Sequence, residues 1–152
     1  MKIDSEVDKA MREALTASAG GARQRFDNAV EDIARRGDDF ANETMNLTLA
    51  VSAIAFYILH GQEWPGPERV DLLVQKFTEN ETWADIEPQV VKDYLDSLGQ
   101  ESGSPLDRIP LGKFVPAVFA ITGWLLSAFP LPEGVAWNDF LDEIEDEIEA
   151  RS

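Results

Sequence analysis

Residues 40–60 have the sequence FANETMNLTLAVSAIAFYILH, in which nearly every side chain after residue 46 is apolar. The apolar residues recur at helical spacing and cover more than one face, which predicts a buried helix. A second stretch of this kind, VPAVFAITGWLLSAF, covers 115–129. Together the two stretches predict an all-α bundle with both helices at its centre.

Shorter amphipathic segments lie on either side of these two stretches. No segment alternates apolar and polar residues as a half-buried strand does. Gly20 and Gly21 are expected to break the first helix, Gly37 is expected to end the second, and Asp38 and Asp39 are expected to cap the third. The prediction is a bundle of about six or seven helices. The expected helices cover about 5–19, 22–36, 40–60, 67–77, 88–98, 115–129 and 137–150.

Residues 100–107, QESGSPLD, form the one polar segment with the composition of a linker. The 45 residues from 108 to 152 that follow it are close to the size below which a domain rarely folds unaided. We therefore predict a single domain over 1–152, in which 100–107 is an internal loop and not a domain boundary.

Composition excludes several classes of protein. The absence of cysteine excludes a thiolate nucleophile, a zinc finger and an iron–sulfur cluster, and the single histidine, His60, excludes sites that need two imidazoles. His60 is expected to lie at the C-terminal end of a helix, where the dipole favours an imidazolium. The net charge of −16 repels phosphate backbones, so we expect no direct contact with nucleic acid.

Two segments without charged residues, 44–62 and 114–132, raise the question of a membrane span. The continuous apolar part of the first, 47–59, amounts to about 20 Å of helix, whereas a bilayer's hydrocarbon core is about 30 Å thick. The second segment contains Pro116 and ends in two further prolines. We expect no membrane contact, and the mixed charges of the N-terminal sequence MKIDSEVDKAMREALTA predict a cytoplasmic protein.

The last predicted helix has an apolar stripe on one side and carboxylates on the other. The stripe consists of Trp137, Phe140, Leu141, Ile144 and Ile148. The carboxylates, which we call the acidic ridge, are Asp139, Asp142, Glu143, Asp146 and Glu149. Glu145 and Glu147 are expected to widen the ridge. Like charges four residues apart cost about 0.2–0.5 kcal/mol per pair, and only Arg151 is expected to offset them, so burial of the stripe must hold the helix.

The acidic ridge has three interpretations. It is a solvated face that keeps the protein in solution, a docking surface for a basic protein, or part of a site for a divalent cation with oxygen ligands. We predict a non-enzymatic acidic helical protein that acts by protein–protein binding, and we assign no catalytic residue, no metal site and no cofactor. A homodimer is the expected arrangement if an apolar helix face is left uncovered.

Two alternatives remain open. One is an all-α, divalent-metal hydrolase acting on nucleotides, whose chemistry needs only carboxylates from facing helices. Its candidate acids are Glu31, Asp32, Asp38, Asp39 and Glu43 on one side and Glu143 with Asp146 on the other. The other alternative is a helical bundle that binds a small molecule in an apolar cavity. Trp64, in a proline–glycine turn, is expected either to cover the core or to form an exposed contact.

Overall fold

The computed structural model describes residues 2–61, 63–98, 105–129, 131 and 133–151, and every regular element in these ranges is helical. The helices are α1 (Ser5–Ala19), α2 (Arg23–Arg35), α3 (Asp38–Leu59), α4 (Pro67–Asn80), α5 (Pro88–Leu98), α6 (Leu111–Ser127) and α7 (Trp137–Arg151). Single 3-10 turns, Thr82–Ala84 and Pro105–Asp107, precede α5 and α6. The fold is an all-α helical bundle, as the sequence predicts. Residues 100–104 of the predicted internal loop lie outside the described residues.

The first helix begins and ends as the sequence predicts. The Asp4 carboxylate accepts hydrogen bonds from the backbone N–H groups of Glu6 and Val7, at 2.8 and 3.2 Å, and so caps α1. Gly20 forms the C-cap, and Gly21 follows with a φ of 63°, a conformation that glycine adopts without strain. This turn reverses the chain and lays α2 against α1.

Two helices begin earlier than predicted. The N-cap of α3 is Gly37, so Asp38 and Asp39 lie inside its first turn. There their negative charges interact favourably with the positive end of the helix dipole, and they do not cap the helix. Helix α6 begins at Leu111, with Pro116 inside it. Proline lacks the N–H that would bond to the carbonyl of residue 112, and that loss falls near the start of the helix.

Helix α6 is the most extensively buried helix of the described chain. Every residue from Ala117 to Leu126 is buried, and the helix packs against α1, α3, α5 and α7. Helix α3 packs against α6 too, but it buries a narrower face that includes Val51, Ala55 and Phe56. The part of the chain after residue 107 therefore shares its core with the helices that precede it.

Helices α1 and α6 approach each other closely at Gly123. A Cβ atom placed there would lie 2.7 Å from the Cβ of Ser18 and 3.3 Å from the carbonyl oxygen of Leu15. The Ser18 hydroxyl donates a hydrogen bond to the carbonyl of Ala120, at 3.1 Å. Position 123 therefore requires glycine for packing.

Hydroxyl groups that interrupt the apolar stretches are buried and hydrogen-bonded. The hydroxyl oxygens of Ser52 and Tyr94 are 2.6 Å apart, and Thr122 also bonds to Tyr94, whose pKa burial raises to about 12. The Thr48 hydroxyl donates to the carbonyl of Thr44, at 2.7 Å. Within the ranges the structure describes, no helix combines the length and the hydrophobicity needed to cross a bilayer.

Candidate interaction surface

Helix α7 lies on the bundle with its apolar stripe facing inward. Phe140, Leu141 and Ile144 are buried, and Trp137 and Ile148 pack against the same cluster while partly exposed. The rest of the cluster consists of residues from α1, α3 and α6, namely Met11, Leu15, Val51, Ala55 and Leu126. The predicted stripe is thus confirmed, and its burial holds α7 against the repulsion of its own carboxylates.

The structure divides the acidic ridge between two flanks of α7. Asp142 and Glu149 face α1 and the segment before it, whereas Glu143 faces α3. Asp146 borders the same groove as Asp142 and Glu149, on the α1 side, and Asp139 lies near the start of α7. All of them are exposed except Glu149, which is half-buried. Glu143 therefore borders a different groove from Asp142, Asp146 and Glu149.

Arg12 of α1 lies among three carboxylates. Its Nε donates to Asp8, at 3.0 Å, and its Nη2 donates to Asp142, at 2.7 Å, and also to Glu145. The expectation that Arg151 alone offsets the charge of α7 is therefore wrong. Arg12 reaches α7 from a helix more than a hundred residues earlier, a contact that sequence spacing does not reveal.

Glu145 is only 7% exposed, so the expectation that it widens the acidic ridge is also wrong. It follows Leu141 by four residues and precedes Ile148 by three, which places it at the edge of the apolar stripe. Burial, reinforced by a hydrogen bond with Asp8 and by that residue's charge, raises the pKa of Glu145 to about 8, against the opposing effect of Arg12. The pair of Glu145 and Asp8 therefore holds a proton more tightly than an isolated glutamic acid does.

Two further ridge residues bond to the backbone. The N–H of Ile3 donates to a carboxylate oxygen of Glu149, at 3.1 Å, which joins the segment before α1 to α7. The N–H of Ala136 donates to Asp139, also at 3.1 Å, and stabilises the start of α7. Asp142 is already paired with Arg12.

The side chains of Glu143 and Asp146, by contrast, make no hydrogen bond or ion pair with the rest of the described chain. Both are exposed. Of the five ridge acids, they alone bond to nothing else within the described residues, since Asp142 pairs with Arg12 and Asp139 and Glu149 accept hydrogen bonds from backbone N–H groups.

The flank of α7 that carries Glu143 borders a groove with a volume of about 640 Å³. We call it the α3–α7 groove; it is lined by Ala53, Ile54, Tyr57, Ile58, Trp64, Glu143, Glu147 and Arg151. Ile58 and Trp64 are 43% and 45% exposed. The Trp64 ring lies 5.1 Å from that of Tyr57 and 6.4 Å from that of Phe56. Trp64 therefore covers part of the bundle, as one of the two expectations has it, and the rest of its indole is exposed.

The acids considered for a metal hydrolase lie in separate places. Glu31 and Asp32 both pair with Arg35, at 2.7 and 3.5 Å. Asp39 precedes Ala53, which lies beside Glu143, by about 20 Å along the axis of α3. Among the residues that the structure describes, no three histidine or acidic side chains are grouped so that they could hold a metal ion.

His60 lies at the C-terminal end of α3, as predicted. Its Nδ1 lies 2.8 Å from the carbonyl oxygen of Phe56, and Nε of Arg69 donates to its Nε2, at 3.4 Å. Both ring nitrogens have partners, so this imidazole links the end of α3 to α4.

The surface beside α7 thus combines unpaired carboxylates with exposed aromatic and aliphatic side chains. Carboxylates of this kind attract cations, and the apolar groups bind other apolar groups through removal of their surface from water. Comparison with protein-family models, with curated proteins and with solved structures finds no match to this chain.

Proposed function

We propose that this protein is a non-enzymatic binding protein that recognises a basic partner protein through the exposed carboxylates of α7. The observation that carries the proposal is the state of Glu143 and Asp146, which remain exposed and unpaired on a helix whose other acids are largely engaged. The proposal keeps the cytoplasm as the compartment and a protein, not a nucleic acid, as the partner.

The arrangement leaves electrostatic repulsion that a partner would relieve. Glu143 lies four residues from Asp139 and from Glu147, and such like-charge pairs each cost a helix about 0.2–0.5 kcal/mol. Lysine or arginine side chains of a partner would convert this repulsion into attraction. The net charge of −16 would also steer a basic protein toward this chain and speed their encounter.

The test is affinity capture with crosslink mapping at low and at high salt. We expect a captured protein with a basic surface whose crosslinks fall on α7 and whose capture weakens as ionic strength rises. The double variant Glu143→Gln with Asp146→Asn should lose that capture. Its matched control, Glu43→Gln with Glu68→Gln, removes two exposed carboxylates elsewhere and should retain it. If capture is the same at low and high salt and is also unchanged in the α7 double variant, the proposal is refuted.

A metal titration separates this proposal from the hydrolase alternative. Calorimetry with Mg²⁺ and Mn²⁺, together with a nucleotide-hydrolysis screen, should give no signal for a binding protein. Micromolar metal binding that Glu143→Gln abolishes would favour the hydrolase instead.

A further inference from the structure

We propose that the α3–α7 groove binds a short amphipathic helix of the basic partner, with an apolar side chain against Ile58 and Trp64 and a lysine or arginine on Glu143. This inference rests on the proposed function and specifies the chemistry of the segment that is bound. It concerns the groove side of α7 only, whereas the proposed function concerns the exposed carboxylates as a group.

The apolar wall of the groove packs against the bundle in the free protein. The indole of Trp64 packs against the rings of Tyr57 and Phe56. The sequence Pro65-Gly66-Pro67 follows it, and each proline fixes one backbone torsion. A tryptophan that already packs against two rings has less side-chain freedom to lose on binding, and tryptophan is enriched among the residues that dominate binding energy.

The length of the groove limits what it can hold. Its α7 wall runs from Glu143 to Arg151, which is about 12 Å along a helix axis. Two turns of a partner helix span about 11 Å, so their apolar side chains, three or four residues apart, fit along this wall.

Charge selects a basic occupant. Glu147 is paired with Arg151, whose Nε donates to it at 2.8 Å, whereas Glu143 is unpaired. A cation of the bound helix therefore finds its free carboxylate at Glu143, and this contact sets the position of the helix along the groove.

A second copy of this chain is a poor occupant. Two copies that each carry a net charge of −16 repel each other. Four arginines, those of α2 and its C-cap, already pair with acids of their own chain, so fewer cations of a second copy are free to contact the groove. These pairs are Arg23 with Asp27, Arg25 with Glu13, Arg35 with Glu31 and Arg36 with Glu6.

The experiment titrates the full chain with a synthetic helical peptide of about 15 residues, in which leucines lie at helical spacing beside lysines. Two control peptides have the same composition in scrambled order, or glutamate in place of lysine. We expect calorimetry to show one site for the first peptide and much weaker binding for both controls. Equal binding of the scrambled peptide would overturn the inference, because it would show attraction between charges without a fitted groove.

Variants locate the site. Trp64→Ala and Ile58→Ser should each weaken binding of the peptide, the first at least about tenfold. Leu72→Ser alters an equally exposed aliphatic residue outside the groove and should leave binding unchanged. Circular dichroism checks that each variant folds, and Ile58→Ser tests the groove independently of the Trp64 turn.

The outcomes separate the two proposals. If Glu143→Gln with Asp146→Asn abolishes binding while Trp64→Ala and Ile58→Ser leave it intact, the groove inference fails and the proposed function stands. If none of these variants affects binding, both fail. If size-exclusion chromatography shows a dimer that the groove variants dissociate, a second copy occupies the groove and the inference is refuted.

Discussion

At the scale of single residues, Glu145 makes the stability of the fold depend on pH. Its pKa is about 8 in the folded protein and near 4.5 in an unfolded chain. Between these values the folded state holds one more proton than the unfolded state, so the free energy of unfolding falls as pH rises. The stabilisation that this proton gives the fold is complete below pH 4.5 and is lost above about pH 8. Between these values the free energy of unfolding falls by at most about 1.4 kcal/mol per pH unit.

Glu145→Gln removes this proton while it keeps a hydrogen-bonding side chain between Asp8 and Arg12. We expect the free energy of unfolding, measured by urea denaturation from about pH 5 to about pH 9, to fall more steeply in the wild type than in the variant. Glu143→Gln, on the exposed side of the same helix, should keep the wild-type slope. Parallel curves for the wild type and Glu145→Gln would contradict the raised pKa.

The second prediction at the scale of single residues concerns the effect of substituting Gly123 on stability. Gly123→Ala forces a methyl group against Ser18 and the backbone of Leu15, and we expect it to lower the free energy of unfolding by about 1–3 kcal/mol. Gly112→Ala lies in the same helix with open space around it, so there the better helix propensity of alanine should raise stability by about 0.5–1 kcal/mol. Thermal denaturation measures the stability of both variants. If Gly123→Ala and Gly112→Ala changed stability to a similar extent, the result would contradict the close approach of α1 and α6.

At the scale of the element, α7 is stabilised by its buried stripe and weakened by its charges. Asp146→Lys places a cation near the C-terminal end, four residues from Asp142, and should raise the free energy of unfolding by about 0.5–1 kcal/mol. Asp139→Lys makes the same change of charge at the other end, where it removes the acceptor for Ala136 and should cost about 1 kcal/mol. Chemical denaturation gives the free energy of unfolding of both variants. If both variants change it in the same direction, the net charge of the protein and not the position of the charge on α7 determines the effect.

Most helices were predictable from sequence because they bury one face at helical spacing, as α7 does with Phe140, Leu141 and Ile144, whereas α6 was predictable because it is apolar on all sides. Helix starts were less predictable, since Asp38 suits both a cap and a first turn and only the tertiary path of the chain decides between them. The burial of Glu145 could have been suspected from its place beside Leu141. Its partner Arg12 could not, because the contact depends on how α1 and α7 pack.

The α3–α7 groove could not be predicted from the sequence either. Trp64 in its proline–glycine turn was the one local signal, and that signal did not show which helix would face it. Glu143 was identified as part of the acidic ridge, but its separation from Asp142 and Glu149 follows from the rotation of α7 on the bundle. Faces of helices are set by local periodicity, whereas grooves are set by the relative placement of elements distant in sequence.

At the scale of the whole molecule, the chain has 29 acidic and 13 basic residues, so folding confines a large net negative charge to a small volume. This repulsion opposes compaction. Exposed ion pairs such as Arg25 with Glu13 and Lys113 with Glu87 contribute only about 0–1 kcal/mol each. Repulsion should therefore outweigh the exposed pairs.

Added NaCl should therefore stabilise this protein. The screening length falls from about 30 Å at 0.01 M salt to about 10 Å at 0.1 M, which weakens repulsion across the molecule more than contacts between neighbouring atoms. We expect Tm to rise by several degrees over this range, since a change of about 1 kcal/mol moves Tm by about 2–8 °C. The variant Glu143→Gln with Asp146→Asn, with two fewer charges, should show a smaller rise. A Tm that falls with salt would mean that ion pairs such as those of Arg12 outweigh the net repulsion.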